Sequence, residues 1–259
     1  VRLLTGDARQ AVFAPLDDGA GRSAAVVRRL GSAIALGIIE DGEQLPAEQQ
    51  LAASLNVATV TLREALADLR SRGLVSTRRG RGGGSFVRAD DDALAELARG
   101  RLAELSTADL RELGDLRVAV GGTSARLAAV RASASELAAL RGLVDRVAAA
   151  RDGSEQRRLE GRYHIALAAS TQSVRLTTQE IELQSELGQV LWGSSRSPAE
   201  VATDTAAHHA VLDAVEARDA ALARDLAEEH LDRVTVRLIE IHIAAVRRGD
   251  GPSARGQDR

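Results

Sequence analysis

The sequence predicts a mainly α-helical protein, with an N-terminal winged helix-turn-helix followed by an all-α helical bundle. Three observations predict it. Residues 42–87 run through a turn, a short helix, a second helix and a glycine- and arginine-rich hairpin. From Asp92 to about Arg247 helical periodicity is almost unbroken, and no β-rich stretch appears there. The breaks in that periodicity fall at Ser, Thr, Gly and Pro, residues that start or stop helices.

The first 22 residues lack sustained periodicity and are expected to be a flexible tail. A first helix is predicted from Ser23 to about Ile39, with Val26, Val27, Leu30, Ile34 and Leu36 on its apolar side. Pro46 suits the first turn of the next helix, where its missing N–H has no partner to lose. Leu51, Ala52 and Leu55 follow at helical spacing, and Asn56 is a turn residue tolerant of left-handed angles. A second helix is predicted over 58–72, with Val60, Leu62, Ala65, Leu66 and Leu69 as its apolar stripe. Gly73 stops it. Leu74–Thr77 reads as a strand and Ser85–Val87 as its return, with Arg78, Arg79 and Arg81 interleaved among glycines between them.

Charge is distributed unevenly. Residues 56–88 hold seven Arg against two acids, a net of +5, whereas residues 89–259 hold 22 Arg against 28 acids, a net of −6. The overall −3 therefore hides a basic element beside an acidic remainder. A local patch suffices for phosphate binding, because screening confines its field to roughly 10 Å at ordinary salt. A run of arginines is also what a solvated face looks like; a helix-turn-helix and wing beside it point to duplex DNA. An aromatic content of 2% argues against stacking platforms for single strands.

The 42–87 layout resembles the DNA-binding domain of GntR-family transcription regulators. The resemblance implies DNA contacts from Gln49, Thr59, Thr61 and Arg63, and from Arg79, Arg81 and Gly82 of the wing. Three positions depart from the family's usual pattern: Gln49 replaces an arginine, and Ala58-Thr59 replaces a Ser-Arg pair at the start of the recognition helix. Arg63 is retained.

After a linker at 89–92, helices are predicted near 92–104, 107–131, 134–150, 154–170, 174–193, 198–217 and 219–246. The 93–248 region resembles the helical effector-binding and dimerisation domain of the FadR-type branch, the FCD domain. Residues 249–259 are expected to be a disordered tail, and residues 23–88 form the winged domain.

Glu160 and His164 lie four apart and share a helix face. His208 and His230 are each eleven residues from Asp219, so in an antiparallel pair turning there they meet. Three imidazoles and a carboxylate from facing helices suit a borderline divalent cation, zinc by default, with nickel or manganese also compatible. Metal-binding members of the family place ligands at these four positions, with Asp where this chain has Glu160. His209 points about 100° away from His208 by helical geometry, and His242 is expected at a surface or interface. By resemblance, Arg117 pairs with an effector carboxylate; the acid usual four residues on is Gly121, so a helix-surface role for Arg117 stays open.

The chain is therefore expected to be a cytoplasmic, homodimeric regulator, a repressor that binds a double-stranded palindromic operator under control of a small carboxylate. It has no cysteine, no signal layout in residues 1–22 and no apolar run approaching the ~20 residues of a membrane span. Two alternatives stand beside this: a regulator that senses the metal itself, and a helical metalloenzyme. No His-Glu-x-x-His signature, nucleophile elbow or P-loop lysine supports the enzyme.

Overall fold

A computed structural model describes residues 12–13, 15–16, 21–191 and 196–247. The fold is a winged helix-turn-helix followed by a helical domain.

In the winged domain, α1 (Arg22–Ala35), α2 (Glu48–Ser54) and α3 (Thr59–Ser71) pack around Leu30, Ile34, Leu51, Leu55, Leu62, Leu66 and Leu69. Helix α1 ends four residues before the expected Ile39, because Gly37 adopts φ +62° while Ile38 and Ile39 turn their N–H groups back to Ala33. Both isoleucines remain buried. Pro46 lies outside α2, ahead of the Ala47 cap, and not in its first turn. Asn56 takes the left-handed turn conformation at φ 54°. The expected tail also needs correction: Val12 and Leu16 are buried in this core, and the Leu16 N–H donates to the Leu55 carbonyl at the end of α2. The other residues of the expected tails, apart from Phe13, Pro15, Gly21 and Arg22, lie outside the described residues.

The wing pairs β1 (Val75–Arg78) with β2 (Gly84–Val87), antiparallel, from Val75 opposite Val87 to Arg78 opposite Gly84. Arg70 of α3 donates to the Thr77 hydroxyl (3.1 Å), and the Arg78 guanidinium covers the Phe86 ring.

The helical domain comprises α4 (Asp91–Glu104), α5 (Thr107–Arg131), α6 (Ala134–Ala149), α7 (Gly153–Ala169), α8 (Val174–Leu191), α9 (Pro198–Glu216) and α10 (Ala220–Arg247). Helix α4 begins inside the expected 89–92 linker, capped by Asp90. Capping boxes start α5, α6 and α9 at Ser106, Ser133 and Ser197, so the breaks seen in the sequence are helix starts with their donors satisfied. The long pair α5 and α10 approaches closely through small residues. An added Cβ at Gly121 would collide with Leu231, which gives a steric reason against an acid there. Ala125, Ala128 and Ala129 of α5 meet Leu212 and Val215 of α9 and Ala223 and Ala227 of α10 in a second core.

The winged and helical domains are in direct contact. Ile165 of α7 and Ile181 of α8 join the core of the winged domain. No helix among the described residues is long and apolar enough to cross a membrane.

Candidate nucleic-acid interface and metal centre

The basic element presents its polar side chains outward. Gln49, Arg63, Arg79, Arg81 and Gly82 are exposed, while Thr59 and Thr61 are half-buried along α3. Arg63 Nε donates to Glu48 Oε2 at 2.7 Å, so α2 holds this guanidinium at the helix surface. Val60 was expected in the apolar stripe of α3 but is 63% exposed. The core takes Leu62, Ala65, Leu66 and Leu69, and at 100° per residue Val60 falls outside that face.

The second assembly lies inside the helical domain, where α5, α7, α9 and α10 converge. Arg218 takes a left-handed turn between α9 and α10 and donates to the Ala129 and Ala132 carbonyls at 3.0 Å, fixing this turn against the end of α5. The antiparallel pair then brings His208 and His230 together, with their Nε2 atoms 3.0 Å apart. His164 of α7 completes the group, and one ring nitrogen from each histidine lies within 4.8 Å of the others. All three are buried.

Burial sets their charge. His208 is pulled down to about 3 by burial and by the Arg117 and Arg196 charges. His164 and His230 fall well below the ordinary histidine value, first through burial and then through Arg117 and the neighbouring imidazoles. At neutral pH the rings are therefore uncharged and carry lone pairs, the form that binds a cation. The Nδ1 atoms of His208 and His230 are buried without a hydrogen-bond partner among the described residues. A neutral, inward-facing imidazole set fits zinc or a similar ion.

Glu160 lies close by but outside this group. Its carboxylate accepts from Arg196 Nη1 at 2.5 Å, and burial, offset by Arg196, raises its pKa. Arg196 also reaches Asp204 Oδ2 at 3.3 Å. Arg117 is buried, with Nη2 3.5 Å from His164 Nε2, so the helix-surface alternative for it is excluded. His209 faces away and lies 3.3 Å from Asp145. His242, expected at a surface or interface, is buried within this chain, at 5% exposure.

The sequence reading missed Asp204, Arg196 and Arg237. Asp204 Oδ2 accepts from Arg237 at 2.8 Å, and its Oδ1 stands 3.8 Å from His230 Nδ1, on the side away from His208. At 3.8 Å this carboxylate is beyond hydrogen-bond reach of the ring, which leaves Nδ1 without a partner among the described residues. The signal was present: Asp204 precedes His208 by four residues, as Glu160 precedes His164.

A basic winged helix-turn-helix joined to a helical domain defines a class, the two-domain DNA-binding transcription regulators. Residues 22–84 match the bacterial regulatory proteins of the gntR family, and residues 112–233 match the FCD domain. The chain belongs to the GntR family and carries a FadR-type C-terminal domain. It is 36% identical over 225 residues to a proposed HTH-type transcriptional regulator, RmpR, of Mycobacterium gastri, covering 85% of this chain and 81% of that protein. It is 33% identical over 204 residues to a proposed L-lactate dehydrogenase operon regulatory protein of Escherichia coli K12, covering 76% and 78%. The fold is shared with E. coli McbR/YncC (TM-score 0.53, 19% identity, 86% of this chain and 100% of that one). It is shared also with a GntR regulator from Rhodococcus sp. RHA1 (TM-score 0.51, 22% identity, 85% and 98%). These relatives are transcription regulators, so the metalloenzyme alternative falls.

Proposed function

We propose that this regulator is a homodimeric repressor whose operator binding is controlled through a divalent metal and a small carboxylate in the helical domain. His164, His208 and His230 hold the metal, with Glu160 as the carboxylate ligand once it leaves Arg196. Zinc suits this donor set best, and nickel or manganese is compatible with it. The bound metal supplies a positive charge and open coordination positions for an acidic ligand.

On the DNA side, Arg63, Thr59, Thr61 and Gln49 address the major groove, and Arg79, Arg81 and Gly82 of the wing border the minor groove. Two copies related by a two-fold axis read the halves of a palindrome. The effector acts by its difference in affinity between two arrangements of the heads. The observation that carries the reading is the convergence of three buried, uncharged imidazoles from three helices. A relative named for an L-lactate dehydrogenase operon is in keeping with a small carboxylate as effector class.

Metal content by mass spectrometry on tag-free protein tests it, beside a His208→Ala/His230→Ala variant. About one metal per chain, lost in the variant, is the expected result. A wild-type chain that takes up no metal after reloading would end the metal-site reading and leave the regulator assignment standing.

A further inference from the structure

Gln44 is not among the residues assigned to DNA contact, yet it holds the part of the wing that carries two of them. Residues 42–45 run antiparallel along the outer edge of β2. The Gly42 N–H donates to the Val87 carbonyl (3.0 Å), the Val87 N–H to the Glu43 carbonyl (2.9 Å) and the Leu45 N–H to the Ser85 carbonyl (2.9 Å). Gln44 itself stands opposite Phe86. Strand β2 is thus flanked on both sides, by β1 and by this segment. From that fixed backbone the Gln44 side chain reaches the wing tip, where its Nε2 donates to the Gly83 carbonyl at 3.0 Å, across 39 residues of chain.

The tip closes on itself at the same place. The Gly83 N–H donates to the Gly80 carbonyl at 2.8 Å. An added Cβ at Gly83 would stand 2.5 Å from the Arg78 carbonyl oxygen, and one at Gly84 would stand 2.7 Å from Gln44 Nε2. Glycine at these two positions is what admits both the turn and the Gln44 amide. Arg78 is engaged with the Phe86 ring, 4.3 Å from its centroid. Arg79 and Arg81 are exposed, and no hydrogen bond or ion pair holds either among the described residues. The tip backbone therefore sets where they project. A glycine-rich turn has much conformational freedom to lose on binding. A contact that fixes it beforehand removes part of that cost.

We propose that Gln44 is a positioning residue for operator binding: its side-chain amide presets the wing tip from which Arg79 and Arg81 reach DNA. The inference rests on the proposed reading of those two arginines as DNA contacts, and Gln44 acts through them. The other strand of the wing is held separately, by the hydrogen bond from Arg70 of α3 to Thr77 of β1. Gln44 thus governs the tip, while Arg70 ties the wing to the recognition helix.

A double-mutant cycle on the full chain tests this. Gln44→Met keeps the side-chain length and the net charge and removes the donor. The probe is a duplex selected by the wild-type chain from a random pool, titrated at fixed salt. Gln44→Met is expected to lose about two- to tenfold in affinity, the worth of ordering one mobile element on binding. Its melting curve is expected to match that of the wild type, because Gln44 is exposed. In an Arg79→Ala/Arg81→Ala background the same substitution is expected to cost less than about twofold, since the tip has no contact left to deliver. Equal losses in the two backgrounds would mean that Gln44 touches DNA itself or acts through the fold at large, and would overturn the positioning role. No loss in the wild-type background would overturn it too. An Arg79→Ala/Arg81→Ala chain that binds the duplex as tightly as the wild type would instead remove the wing reading, and the positioning role with it.

Discussion

Arg162 donates from Nη2 to the carbonyl of Gly37 at 2.9 Å, across 125 residues of chain. Arg162 lies between Glu160 and His164 on α7, and Gly37 is the left-handed stop after α1 of the winged domain. One residue earlier on α7, Gly161 admits Leu36 so closely that an added Cβ would stand 2.6 Å from Leu36 Cδ2. One side of α7 thus faces the candidate metal centre while the other is packed against the DNA-binding head, so a shift of this helix is felt by both.

Arg162→Ala removes a charge-assisted hydrogen bond in a part-buried contact, and is expected to cost about 1–3 kcal/mol of stability in urea denaturation. It should also reduce the effect of zinc on operator affinity. A zinc response equal to that of the wild-type chain, in parallel operator titrations, would remove α7 as the coupling element.

Arg63→Ala is expected to weaken operator binding by about 1–3 kcal/mol, the range for a good base contact. Its ion pair with Glu48 is largely exposed and contributes at most about 1 kcal/mol to folding, so stability should hardly change. Gel-shift titration at fixed salt, with a melting curve beside it, separates these effects.

Val60 projects from the recognition helix at 63% exposure, so the fold gains little from it. An exposed valine beside residues proposed to read bases is suited to a thymine methyl. Val60→Ser should leave stability within about 0.5 kcal/mol and change which operator base is preferred nearby. Selection of binding sites from a random duplex pool measures this, and an identical consensus would argue against a reading role.

Loss of both α9–α10 imidazoles is expected to abolish the stabilisation that zinc confers. At zinc concentrations 100 times the dissociation constant, that stabilisation is about 2.7 kcal/mol for a single site. Thermal unfolding with and without zinc compares the wild-type chain with the His208→Ala/His230→Ala variant. A shift of equal size in both would place the ion elsewhere.

Acid should destabilise the metal-free protein. The three histidines have folded pKa values below the ordinary 6.5, His208 at about 3, so between these limits the unfolded chain binds protons that the folded one does not. Stability from these groups is full above pH 6.5 and is lost as pH falls toward the folded values. Glu160 and Glu180, raised by burial, act in the opposite sense at the acidic end. The chamber also holds Arg117, Arg196, Arg237 and Asp204. The melting temperature of chelator-treated protein should fall from pH 7 to pH 5; a flat profile over that window would mean that the rings are charged or accessible in the fold.

Much of this architecture was legible because the signals are local. Ser106, Ser133 and Ser197 start helices through side-chain oxygens that cap their own backbone, and such a contact needs only three or four residues. The convergence of His208 and His230 was legible for the same kind of reason, since a tight turn makes equidistant residues of an antiparallel pair neighbours. Val60 misled because its residue type suits either side of a helix. Val12 and Leu16 misled because a short segment without periodicity can still be buried by a core formed elsewhere.

The sequence by itself determined the element order and the winged helix-turn-helix through periodicity and caps, the family through the resemblance of its motifs, and the meeting of His208 with His230 through fixed spacing. Only the tertiary structure decided that Glu160 answers to Arg196, that Arg117 and His242 are buried, and that Asp204 stands behind His230. Such pairings join residues tens of positions apart, and their geometry depends on how α5, α7, α9 and α10 pack, which no local pattern encodes.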